Sequence, residues 1–274
     1  DTISHPRSLI YLVLGTDEGV RKFQGWSQAM NQPVVDAPRG NFRLWVPFPG
    51  FEVAYQAAWP TDAVGTYLVD AAQLDESSRH ADPYQRAHAV VDLYLEGLRI
   101  ANKRQERIDV AICVVPDEVW LNCRPESRVT DPVGNRVSGQ EIQARRAGQL
   151  GLFGGPNPEI YWLSTDFRRQ LKARSMQYGI PIQIVRESTL RLDEDAPFGA
   201  RSLTPLSDRM WNISNALYYK CGGKPWRLVT ARDGVCYIGI AFRRVESFAG
   251  NETACCAAQM FLDTGDGIVF LGEY

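Results

Sequence analysis

Four side chains in the second half of this chain have the types and spacing to hold an anion. Arg168 and Lys172 lie four apart in the run Asp166-Phe-Arg-Arg-Gln-Leu-Lys172, so on a helix they share one face while Arg169 points elsewhere. Gln183 follows in Gly179-Ile-Pro-Ile-Gln183, a turn leading into a strand that can fold back beside that face. Lys220 closes the apolar run Asn215-Ala-Leu-Tyr-Tyr-Lys220 and is followed by Cys-Gly-Gly-Lys-Pro-Trp226, a helix stop and a restart. A guanidinium fork, two ammonium charges and an amide converging on one point would suit a terminal phosphate. A solvated basic helix face with a capping lysine produces the same spacing, and spacing alone does not separate the two.

Other chemistry finds little support. The three histidines are His5 and His80 in polar sequence and His88 on a helix, and no Gly-x-Ser-x-Gly elbow is present. The six cysteines, at 113, 123, 221, 236, 255 and 256, lack the short paired spacing of a zinc site. They read as free thiols in a reducing, cytoplasmic setting. Gly154-Gly-Pro156 is followed by no Lys-Ser/Thr and so is not a phosphate loop.

The elements that must position the basic cluster follow from periodicity. Leu9–Leu14 reads as a buried strand without the flanks of a signal peptide. Asp17–Met30 reads as a helix, and Phe42–Val46 and Phe51–Trp59 as strands. Pro83 opens a long helix whose stripe is Val90, Val91, Tyr94, Leu95 and Leu98, and Ile108–Val115 is the clearest strand. Residues 124 to 158 form a surface excursion with a short helix near Gln140–Gln149. Ile160–Leu163 reads as a strand, the basic helix and strand Ile182–Val185 follow, and Thr204-Pro205 starts the helix that ends near Tyr219, with Gly222 or Gly223 beyond it. This β-then-α alternation predicts an α/β fold with a mostly parallel sheet.

The pattern changes after Gly223. Trp226–Thr230, Val235–Phe242, Ala254–Leu262 and Ile268–Leu271 are strands separated by short turns, which predicts an antiparallel meander. A domain boundary is therefore expected near Gly223, giving domains 1–223 and 224–274. Three antiparallel strands open a ribonuclease-H-like fold, whose nucleases need a carboxylate midway along the first strand to hold Mg²⁺. The position after Gly239-Ile240 is Ala241, which cannot ligate metal. Asp263 and Asp266 flank a turn that favours Asp for its geometry. A net charge of −2 excludes a bulk basic field, and no apolar run reaches the ~20 residues of a membrane span. The start at Asp1 without methionine and the end in a strand pattern at Tyr274 read as a segment of something longer.

With these residues in view, the chain resembles the MID domain and the start of the PIWI domain of a short prokaryotic Argonaute. The resemblance rests on Phe48-Pro-Gly-Phe51, Asp109–Glu118, Gln170–Arg174, Ile180–Leu190, Tyr218–Trp226 and Ala254-Cys-Cys-Ala-Ala-Gln-Met-Phe-Leu-Asp263. The last run is most similar to members paired with a TIR-domain effector. The resemblance implies a Rossmann-like MID domain over 1–223 and the opening strands of PIWI over 224–274. It implies that Arg168, Lys172, Gln183 and Lys220 bind the 5′-phosphate of a guide RNA. Arg168 departs from the histidine or tyrosine common at its position. In long Argonautes a metal completes this pocket, so the resemblance allows Mg²⁺ at the guide phosphate with no ligand assigned here. The family's first catalytic aspartate falls at Ala241, which implies an inert nuclease. The partners implied are single-stranded target DNA and an APAZ-containing effector protein, with a TIR NADase preferred over a sirtuin-like or nuclease effector. Target binding would drive higher oligomers and NAD⁺ hydrolysis in the partner. Two alternatives come from other classes: an α/β enzyme binding a nucleotide or sugar phosphate, and a structural partner of a larger complex.

Overall fold

The computed structural model describes residues 5–36, 38–104, 106–147, 157–192, 201–225, 230–247 and 250–270. The chain divides into two compact units, Asp1–Gly223 and Lys224–Tyr274.

The first unit is built on a parallel sheet of β1 (Tyr11–Gly15), β2 (Gly65–Leu68), β3 (Val110–Val115) and β4 (Ile182–Arg186), in the order β2-β1-β3-β4. β1 and β3 are buried at every position, as expected of central strands covered on both faces. Their alternating side chains feed two cores. Tyr11, Val13, Val110, Ile112 and Val114 join Phe23 and Trp26 of α1 (Asp17–Ala29) and Phe51 and Tyr55 of α2 (Phe51–Tyr55). Leu12, Leu14, Ala111, Cys113 and Val115 join Leu74 of α3 (Ala71–Ser78) and the stripe Val90, Val91, Tyr94, Leu95 and Leu98 of α4 (Pro83–Asn102). α4 begins where Asp82 accepts from the Tyr84 amide at 2.9 Å with Pro83 in the first turn. Its Gly97 permits close approach, because a Cβ there would stand 2.4 Å from Leu14 and 2.6 Å from Tyr67.

Three strand expectations in this unit are corrected. Phe51–Tyr55 is helical: its two buried aromatics are spaced i, i+4 and Val53 between them is exposed, a helix period rather than a strand's. Residues 42–46 form turns, with the Leu44 and Trp45 amides bonded to Asn41, and Phe42, Leu44 and Val46 are exposed. Residues 158–162 form a 3₁₀ helix capped by Asn157 with proline in its first turn. Conversely, β2 was not anticipated, because only alternate positions of Gly-Thr-Tyr-Leu are covered.

The excursion after α5 (Asp117–Asn122) carries α6 (Gly139–Arg146), which is clamped to the start of α4. Tyr161 donates to the fully buried Asp82 at 2.6 Å. Arg145 lies over the Tyr161 ring at 5.1 Å, and Arg146 lies over Tyr84 at 5.7 Å and Trp162 at 5.4 Å.

The second unit is an antiparallel sheet of β5 (Cys236–Ser247), β6 (Gly250–Leu262) and β7 (Gly267–Phe270), in that order. The expected strand at 226–230 lies mostly outside the described residues. Asp263 accepts from the Gly234 amide at 2.7 Å, and Asp266 bonds Lys224 at 2.5 Å and Thr264 at 2.7 Å, so both carboxylates are engaged in the turn. Among the described residues Cys113, Cys123, Cys221 and Cys236 are free thiols, and no helix is long and apolar enough to cross a membrane.

Candidate anion-binding site

The candidate residues gather along β4, the edge strand of the parallel sheet. α7 (Phe167–Ser175) packs on one face through Phe167 and Leu171, and α8 (Leu206–Lys220) packs on the other through Met210, Ile213 and Leu217. α8 runs antiparallel to β4. Near its start, Arg209 donates to the carbonyls of Thr189 at 2.7 Å and Arg191 at 2.5 Å, just past the end of the strand. Lys220, its last residue, therefore reaches the opposite end of β4.

That helix end is built by its glycines. The Gly222 amide bonds the Tyr219 carbonyl at 3.1 Å and the Gly223 amide bonds Tyr218 at 2.9 Å, with Gly222 at φ 86°. This is the paired closure of a helix by a left-handed residue. Gly223 lies against the Tyr218 ring, where a Cβ would come within 2.2 Å. The terminus is thus fixed, and Lys220 projects from a rigid element.

Lys172, exposed on α7, and the half-buried Lys220 are brought close enough to repel each other. Burial first, then the Lys172 charge, pull the Lys220 ammonium below its ordinary value. Among the described residues neither lysine has a carboxylate or hydrogen-bond partner. Two ammonium groups within electrostatic reach of each other, with no counter-charge among the described residues, mark a place where an anion would relieve the repulsion.

Arg168 stands differently. Its Nη2 and Nε donate to Asp166 at 2.9 and 3.2 Å, and its guanidinium lies over Trp120 at 5.1 Å. Asp166 is 3% exposed and also caps α7 by accepting from the Arg168 amide at 2.9 Å. Burial pushes the Asp166 carboxyl up, but the Arg168 bonds outweigh it and hold it below the usual range. The Arg168 charge is therefore already balanced, and its flat guanidinium is fixed in place.

Gln183 donates through Nε2 to the Ile184 carbonyl at 3.1 Å. It opens into a cavity of about 440 Å³ that continues along β4 past Arg186, with Trp120, Arg201 and Asn212. Arg186 is ion-paired to Asp117 and lies over Trp120 at 5.9 Å. The structure thus sets Lys172 within electrostatic reach of Lys220 and ties Arg168 to Asp166 and Trp120, with Gln183 on the α8 side of the strand. Trp120, Arg186 and Arg201 were not anticipated as site residues. Arg186 ends β4 and its partner Asp117 follows β3, and no local spacing reveals the pair.

The donors present do not fit a divalent cation. Two ammonium groups repel it, and Gln183 offers one neutral oxygen. Among the described residues no group of three His, Cys, Asp or Glu side chains could hold a metal. In the second unit, Ala241 lies opposite Ala257 within β5, with the register shifting at Ala241/Phe242.

A second cavity, about 410 Å³, sits at the carboxyl ends of β1 and β3, where the strand order reverses and doubly wound sheets bind ligands. It is mainly acidic, lined by Asp17, Glu18, Asp75, Glu118 and Glu187 with Arg21. Glu187 takes bonds there from Thr16 at 3.1 Å and Lys22 at 3.0 Å.

No protein-family model and no curated protein matches this chain. Among solved structures it is similar to the crystal structure of Aa-Ago with externally bound siRNA, at 12% identity and a TM-score of 0.40, over 98% of this chain and 25% of that one. The chain therefore spans about a quarter of that protein's length.

Proposed function

We propose that this chain holds the 5′-phosphate of a guide RNA between Lys172 and Lys220, as the guide-binding part of an Argonaute-type protein. The observation that carries this reading is a pair of lysines on α7 and α8 within electrostatic reach of each other and with no carboxylate partner among the described residues. A phosphate accepts from both ammonium groups, offsets their mutual repulsion, and is told from a 5′-hydroxyl by its charge alone. Gln183 adds an amide along the same edge, and Arg168, fixed by Asp166 and Trp120, offers a planar surface rather than a free charge. Sequence selection belongs to base pairing with single-stranded target DNA, and the protein supplies the anchor for the guide end.

The same reading makes the chain a recognition subunit rather than a nuclease. An alanine at position 241 offers a metal nothing to bind, and Asp263 and Asp266 are engaged in their turn. A TIR-APAZ protein as partner, with NAD⁺ hydrolysis switched on there by target binding, rests on the sequence resemblance of Ala254–Asp263. Mg²⁺ has no role in this account. The competing reading, an α/β enzyme with a nucleotide at the sheet crossover, is opposed by the acidic lining of that crevice, which repels phosphates.

The test is binding of 5′-phosphorylated and 5′-hydroxyl guide RNA to the full chain and to its Lys172→Ala and Lys220→Ala variants. Each contact is a charge-assisted hydrogen bond of about 1.5–3 kcal/mol, so each variant should lose about tenfold or more for the phosphorylated guide. Equal affinity for both guides, unmoved by either substitution, would sink the proposal.

A further inference from the structure

The cavity that continues along β4 is not used by the lysine pair, and its chemistry is also anionic. We propose that Arg186 and Arg201 form a second phosphate site, which takes an internal phosphodiester of the strand whose 5′ end sits at Lys172 and Lys220. This rests on the function proposed above and adds a direction: the strand leaves its anchored end and runs along β4 toward its carboxyl end.

Three observations carry it. The cavity is about 440 Å³ and open along the strand edge, with the amides of Gln183 and Asn212 beside the two guanidiniums. Among the described residues the charges are unbalanced. Asp117 is ion-paired with Arg186, while the Arg201 partners among those residues are the hydroxyls of Ser188 and Thr189, each at 3.3 Å. Burial, then Arg186, draw the Arg201 guanidinium below its ordinary value, and Asp117 only partly opposes this. Third, Arg186 is pre-positioned by its stacking on Trp120 at 5.9 Å and by Asp117. Gln183 and Arg186 are three residues apart on one strand, about 10 Å at the rise of a strand. A phosphate held at Arg186 and Arg201 is therefore a different group from one held beside Gln183.

The experiment uses the full chain and guides in which a single internal phosphodiester is replaced by a neutral methylphosphonate, one position at a time. Wild type should show one position near the 5′ end where neutralisation weakens binding about tenfold. In Arg201→Gln that same substitution should have no further effect, while Arg201→Lys restores part of it. The preference for a 5′-phosphate over a 5′-hydroxyl should be the same in wild type and Arg201→Gln. A flat methylphosphonate scan in wild type, or an unchanged penalty in Arg201→Gln, overturns the second site. Competition by a free nucleoside monophosphate that depends on Arg201, with a flat scan, also overturns it by assigning the cavity to a free nucleotide. Absence of any 5′-phosphate preference in wild type instead overturns the lysine anchor, and an Arg201-dependent penalty at one internal position still establishes the second site.

Discussion

Lys172 on α7 lies within electrostatic reach of Lys220 at the end of α8, and its charge adds to burial in depressing the Lys220 ammonium. Both effects disfavour the charged form of Lys220 in the free protein. Residues placed for binding rather than for stability have this character.

Replacing Lys220 should therefore stabilise the free protein while damaging its function. Lys220→Met keeps the apolar stem and removes the charge, and its melting temperature at pH 7 should rise by about 2 °C. A lysine depressed in the folded state binds fewer protons there than in the unfolded chain. Its penalty is complete below the folded value and is relieved as pH rises toward the ordinary lysine range. The gap between Lys220→Met and wild type should accordingly narrow as pH rises toward the ordinary lysine value of about 10.4. Thermal unfolding at pH 7 and pH 9.5 checks both statements.

Asp166 should matter through Arg168 and the start of α7. Asp166→Ala removes a helix cap and the partner of a half-buried guanidinium, at a cost of about 1–3 kcal/mol. Asp166→Asn retains the cap oxygen and loses less. Because the folded carboxyl lies below its ordinary value, its contribution is present above about pH 4 and is lost as pH falls through the folded value. Denaturant melts of wild type and Asp166→Asn should converge at low pH.

The glycine closure of α8 separates two physical causes. Gly222→Ala meets no atom within 4 Å but keeps a φ of 86°, so it should cost about 1–2 kcal/mol from backbone strain alone. Gly223→Ala drives a methyl into the Tyr218 ring and should cost more, with Lys220 displaced. Urea melts of the two variants give the order.

These features were unequally legible in the sequence. β1 and β3 are unbroken apolar runs, and Lys220 before two glycines marks its own helix end. Arg168 and Lys172 were visible as one face, but the carboxylate that neutralises Arg168 is Asp166, two residues before it, a spacing that no helix face brings together. Phe51 and Tyr55 were misread because aromatic content outweighed their i, i+4 spacing. Arg186 and Arg201 escaped notice because Asp117 and Trp120, which give them meaning, arrive through the β3–β4 pairing.

The clamp on α6 should be a stability element. Tyr161→Phe deletes the 2.6 Å bond to the buried Asp82 carboxylate and leaves that charge underbonded, at a cost of about 1–3 kcal/mol. Limited proteolysis should then cut faster between residues 124 and 147, while 5′-phosphate preference is retained.

The most direct test of the anchor is the titration of Lys220 itself, followed by NMR of its ¹³Cε-labelled side chain and assigned by the resonance lost in Lys220→Arg. In the free protein it should titrate below an ordinary lysine. A 5′-phosphorylated guide should move that titration upward, and the same guide with a 5′-hydroxyl should not. An identical response to both guides, or none to either, would contradict the claim that Lys172 and Lys220 hold a terminal phosphate.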